Sequence, residues 1–186
     1  IANEKTLRGD RALEPSWDDY WRKLIAEGHA FGTHTWDHGY FRGDAEDSRT
    51  RYVRLDGKTD LLDAAGVCAE LRKVETRFRE LSGGKPLAPI WRAPGGRTTP
   101  LTLAAAKKCG YEHVHWSPAG MLGDELPSEQ HPNELLLERA VKNLRDGDIL
   151  MMHTGIRSRK EPFAPMLDPL LAKLKEKGFC FATLPR

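Results

Sequence analysis

The stretch Gly28-His29-Ala30-Phe31-Gly32-Thr33-His34-Thr35-Trp36-Asp37-His38 decides the fold. A helix leads into it, with a cap at Ser16, Trp17, Trp21, Leu24 and Ile25 on one side, and a stop at Gly28. A short strand follows near His29 to Thr33, and two imidazoles four residues apart stand at its end. That spacing lets both rings meet on one side of a single helical turn. Imidazole is a common ligand of zinc-like ions, so His34 and His38 are candidate metal ligands. Two unrelated polar loop histidines would give the same letters.

The helix-then-strand order repeats five times along the chain. Gly39 to Lys58 reads as a long polar loop of mixed sign. A long helix is expected from roughly Asp60 to Leu81, on the stripe Leu61, Ala64, Cys68, Leu71, Val74, Phe78 and Leu81. Further helices are expected from Thr99-Pro100 to Gly110, from Pro132 to Leu144 and from Pro165 to Lys177. Strands are expected at Leu87–Trp91, Tyr111–Trp116, Asp148–Met152 and Phe179–Thr183. Such alternation implies an α/β fold with parallel pairing and right-handed crossovers. No glycine-rich phosphate loop follows any strand, which argues against a nucleotide-binding sheet and favours a barrel.

Composition sets the bounds. The 186 residues make one domain or a piece of a larger one, 39% hydrophobic and 30% charged, as in a soluble globular chain. A net charge of +2 gives no footprint for nucleic acid. No apolar run is long enough for a membrane span. Cys68, Cys109 and Cys180 are scattered and odd in number, and are expected to be buried free thiols.

In parallel α/β barrels chemistry gathers at the C-terminal strand ends. Here those ends carry His34 and His38, then Arg92-Ala93-Pro94-Gly95-Gly96, then Trp116, then His153. Two candidate ligands, a guanidinium, a tight loop, an indole and a third histidine would converge on one rim.

These residues resemble the polysaccharide deacetylases of the NodB-homology type, carbohydrate esterase family 4. His34-Thr35-Trp36-Asp37-His38 is similar to the family's His-Ser/Thr-x-x-His motif, Arg92-Ala93-Pro94 to its Arg-x-Pro motif, and Met151-Met152-His153 to its Leu-x-His motif. The resemblance covers nearly the whole chain and implies a distorted (β/α) barrel. The family opens on a strand ending Thr-Phe-Asp-Asp, which supplies a general base and a third metal ligand. Ser16-Trp17-Asp18-Asp19 is similar in letters but sits at a helix start, where the helix dipole explains the acids. The first strands are therefore expected to precede Ile1, making residues 1–186 an N-terminally incomplete NodB-homology catalytic domain. Gly95 replaces the family's tyrosine, keeping the backbone N–H while opening space for a different substrate. An aspartate that tunes the motif arginine usually stands near Trp116, and Asp124 is a distant candidate for it.

The resemblance implies a metal-dependent hydrolase that removes acetyl groups from N-acetylated, or O-acetylated, polysaccharide or oligosaccharide. The cofactor implied is a divalent ion, zinc first, then cobalt or nickel, on His34 and His38. His153 would be the general acid, the Gly95 N–H part of the oxyanion hole, and Arg92 the residue that orients the base. Trp116 and Pro94 would contact substrate, and Thr35 would hydrogen-bond within its loop. Arg157, Arg159 and Lys160 could line a groove for an acidic polymer. His113, His115 and His131 are expected to hold no metal. Relatives of this type act on envelope or extracellular glycans, which implies a periplasmic or extracellular, secreted protein. Two other readings are a catalytically inactive glycan-binding module of deacetylase ancestry and a structural or regulatory α/β domain.

Overall fold

The computed structural model describes residues 1–6, 8–156 and 159–184. The chain folds as two compact units, Ile1–His115 and a second from Trp116 on.

The first unit is α/β. After a 3-10 turn at Pro15–Trp17, α1 runs over Asp18–Ala26 with Asp18 and Asp19 in its first turn, at the positive end of the helix dipole. Next comes an antiparallel meander where a loop was expected: β1 Tyr40–Asp44, β2 Thr50–Val53 and β3 Thr59–Leu62, in that order. The β2–β3 hairpin turns at Asp56-Gly57, where glycine supplies a φ of +82°. Phe41 pairs opposite Tyr52, and both side chains are buried. Because β3 takes residues 59–62, the long helix α2 begins later than its periodicity suggests, at Ala64–Leu81. Asp63 caps it, accepting the Gly66 N–H at 2.8 Å.

Helix α2 serves two cores. Val67 and Leu71 pack with Phe41, Tyr52 and Trp91, while Val74, Phe78 and Leu81 pack with Leu13 and Leu87. Helix α3, Pro100–Lys108, starts on a capping box made by Thr99 and Thr102. Cys68 of α2 and Cys109, just past α3, form a disulfide, and Cys180 is free and exposed. This corrects the expectation of three buried thiols. Thiols 41 residues apart give no sign of pairing until the two helices pack.

Parallel tracks run through the unit. Ala88 N–H reaches Phe31 O, Thr33 N–H reaches Ile90 O, and Arg92 N–H reaches Thr33 O. On the other side β4, Ile90–Trp91, pairs in parallel with β5, Glu112–His113. The strands are shorter than the apolar runs imply, and Thr33 is a single bridge to Trp91.

The second unit packs α4, Asn133–Asn143, on α5, Leu167–Glu176, through Leu136, Leu137, Leu170 and Leu174. Its parallel track is one bridge, Met121 with Met151, extended by Ser117 N–H to Ile149 O and Met151 N–H to Gly120 O. The expected strand at 179–183 has no ladder.

Candidate active site

On the first unit, three chain segments leave their parallel track in the same direction, at His34, at Arg92 and after His113. The His34 and His38 rings lie 4.8 Å apart, centre to centre, inclined at 67°. His34 Nδ1 is 2.6 Å from the Arg92 carbonyl oxygen. A carbonyl only accepts, so Nδ1 carries the ring proton and Nε2 keeps its lone pair. Burial pushes the His34 pKa down to about 3, so the ring is neutral at working pH. A neutral imidazole whose other nitrogen is anchored on a backbone carbonyl is what a metal ligand requires. The donor set at His34 and His38 therefore fits a divalent ion.

The loop between the two rings is tightly held. Thr35 and His38 both have φ of 61°, in the left-handed region that side-chain-bearing residues avoid. Thr35 is fully buried and its hydroxyl faces the Gly39 carbonyl at 3.4 Å. The Trp36 N–H donates to the buried carboxylate of Glu70 at 2.8 Å. Tyr40 stands edge-on to His38 at 5.4 Å.

Arg92 donates from Nε to the Val114 carbonyl at 3.1 Å, and its pKa is lowered by burial. The following loop is a 3-10 turn at Pro94–Gly96, with Pro94 buried and Gly95 exposed at φ 60°. A side chain on Gly95 would place its Cβ 3.1 Å from the Tyr40 ring. Tyr40 thus occupies the room that glycine was expected to open. His113 Nε2 accepts the Ala93 N–H at 3.2 Å, and burial pushes its pKa down to about 4. That histidine braces the Arg92 loop.

In the second unit, Asp124 and His153 follow their own parallel track. The His153 backbone N–H donates to Asp124 Oδ2, and His153 Nδ1 lies 3.2 Å from both carboxylate oxygens. A carboxylate here accepts, so Nδ1 bears a proton and Nε2 is the nitrogen turned to other partners. Asp124, the distant candidate for tuning the arginine, holds His153. Among the described residues, Asp124, Glu125 and His153 bring ligand-type atoms within 4.8 Å of one another. The signal available in sequence was an acidic pair directly after Gly123 at a strand end, whose long reach back to His153 no local spacing encodes. Trp116, at the start of this unit, is half-buried.

In the basic cluster, Arg159 and Lys160 are both engaged within the chain. Arg159 is buried and donates to the Leu126, His131 and Glu161 carbonyls and to Asn133 Oδ1. Lys160 pairs with Glu129 at 2.6 Å, and Arg157 lies outside the described residues.

The family profile described as Polysaccharide deacetylase matches residues 9–114. A peptidoglycan-N-acetylglucosamine deacetylase of Bacillus cereus is 29% identical over 163 residues, 88% of this chain and 65% of that protein. The chain spans 52–65% of the length of the three curated relatives it matches. A family 4 carbohydrate esterase from Streptomyces lividans, solved with acetate, superposes with a TM-score of 0.64 at 17% identity, covering 90% of this chain and 72% of that one. A family 4 acetyl xylan esterase from Clostridium thermocellum, solved with a cobalt ion, gives 0.65 at 19% identity, covering 89% and 67%. The fold class is that of these structures, an α/β distorted barrel, although the short strands described here do not by themselves close one. With the profile spanning more than half its length and its histidine pair set as described, the chain belongs to the polysaccharide deacetylase family, the NodB-type domain of carbohydrate esterase family 4.

Proposed function

We propose that residues 1–186 belong to the catalytic domain of a metal-dependent hydrolase that removes acetyl groups from N-acetylated, or alternatively O-acetylated, polysaccharide. The observation that carries this reading is His34: a half-buried, neutral ring, anchored through Nδ1, with His38 beside it. The name of the Bacillus cereus relative supports peptidoglycan as the polymer. The Cys68–Cys109 disulfide supports an exported protein, since disulfides persist in oxidising compartments.

His34, through Nε2, and His38 would hold the ion, zinc first and cobalt or nickel as alternatives. A bound divalent ion supplies Lewis-acid polarisation of the acetyl carbonyl and a water of lowered pKa. The rest falls to the chain's own groups. The exposed Gly95 would present its backbone N–H to the carbonyl oxygen as negative charge grows there; losing one such donor typically costs about 3–4 kcal/mol. Arg92, steadied at Nε by Val114, would orient the carboxylate base with its planar fork. His153 would give the proton on Nε2 to the departing nitrogen, its ring held by Asp124 at Nδ1. Trp116 would wall the acetyl or sugar face; Pro94, expected to contact substrate, is buried and would shape its loop instead.

The test is acetate release from N-acetylglucosamine oligomers and from peptidoglycan by the zinc-loaded full-length protein and its His38→Ala variant. Release by the wild type that the variant loses is the expected result. Equal rates in the two would overturn the reading.

A further inference from the structure

Helix α2 carries one charge where its stripe calls for an apolar side chain. Glu70 is 4% exposed, set between Val67, Leu71 and Val74, all fully buried. Burying a carboxylate is costly unless its lone pairs are filled. They are filled from one particular place. Glu70 Oε1 accepts the backbone N–H of Trp36 at 2.8 Å and faces the Tyr52 hydroxyl at 2.8 Å. Tyr52 lies 3.1 Å from Asp37 Oδ1 as well, so its single proton is shared between two carboxylates. Glu70 Oε2 takes Lys73 Nζ at 2.5 Å. Burial, and then the Glu70 charge, keep the Tyr52 phenol protonated by raising its pKa. Trp36 and Asp37 are two of the three residues between His34 and His38. The left-handed backbone at Thr35 and His38 persists only if its surroundings over-determine it.

We infer that Glu70 is a positioning residue for the metal ligands: from helix α2 it fixes the Trp36 backbone and, through Tyr52, the Asp37 side chain, and so sets the separation and tilt of the His34 and His38 rings. This rests on the reading that the two histidines hold a divalent ion. The role belongs to the acceptor geometry of the side chain rather than to its charge. Glutamine keeps an oxygen for Trp36 and Tyr52, and leaves Lys73, which is 55% exposed, to water. Aspartate keeps the charge but retracts the oxygens by one methylene from the loop.

The experiment is zinc titration by calorimetry on the full-length protein and its Glu70→Gln and Glu70→Asp variants, with the visible spectrum of the cobalt-loaded forms. Melting curves of the metal-free proteins check that each is folded. Glu70→Gln is expected to bind zinc within a few-fold of the wild type with an unchanged cobalt spectrum. Glu70→Asp is expected to bind about 10–100-fold more weakly, with shifted cobalt bands, the range typical of losing a group that orients a metal ligand. Wild-type affinity in Glu70→Asp, or an equal loss in Glu70→Gln, would overturn the inference. A wild type that binds neither ion would instead remove the metal reading beneath it, a separate and recognisable failure.

Discussion

The two units each carry an imidazole behind a parallel strand track and hold it by opposite means. In the first, His34 is half-buried and tied to a main-chain carbonyl, and desolvation lowers its pKa to about 3. In the second, the His153 side chain is 37% exposed and leans on one nearly inaccessible carboxylate, Asp124. A neutral ring anchored at Nδ1, which keeps its Nε2 lone pair, suits a cation. A ring open to solvent and backed by a carboxylate suits a group that passes protons. The same side chain is thus fitted for two tasks by its neighbours alone.

The sharpest way to break this contrast is to remove each ring in turn. His34→Ala or His38→Ala should abolish both zinc binding and acetate release. His153→Ala should keep zinc affinity while kcat falls about 10²–10⁴-fold, the usual contribution of a general acid. Calorimetry beside a steady-state assay separates the two, and joint loss of zinc from His153→Ala would erase the distinction. Next in size is the disulfide, which only the first unit has. Reducing it should cost about 2–4 kcal/mol and raise hydrogen exchange in α2 and α3 while α4 and α5 stay protected. Equal deprotection of all four helices would contradict that.

Asp124→Asn comes third. It should lower kcat by about 10–100-fold, by analogy with other orienting partners, and leave the zinc affinity untouched. Smallest is a pH effect at His113, whose folded pKa of about 4 lies below its ordinary 6.5. As acid is added the unfolded chain takes the proton first, so this group's contribution is complete above pH 6.5 and fades as pH falls toward 4. Melting temperatures of His113→Gln should therefore drop less steeply over that range than those of the wild type.

Local rules made much of this readable. The Thr99-Pro100 start of α3, the glycine stops and the histidines at the end of the first track all follow from caps and periodicity. The meander over residues 40–62 was hidden by its charges, although Asp56-Gly57 between Thr50–Val53 and Thr59–Leu62 is a hairpin signal. Glu70 in an apolar stripe drew no role from sequence, and Asp124 after Gly123 drew only a distant candidacy beside the motif arginine. Their partners lie 34 and 29 residues away, and only the folded chain brings them within bonding distance.

Tyr40 and Gly95 carry one more consequence, for the order in which this site can change. Any larger residue at 95 meets both a left-handed backbone and the Tyr40 ring. Trimming Tyr40 first would strip the wall beside His38 before a replacement exists. The two positions therefore form an epistatic pair: libraries that vary one at a time will find dead ends, and altered substrate preference should emerge only from variants that exchange both together.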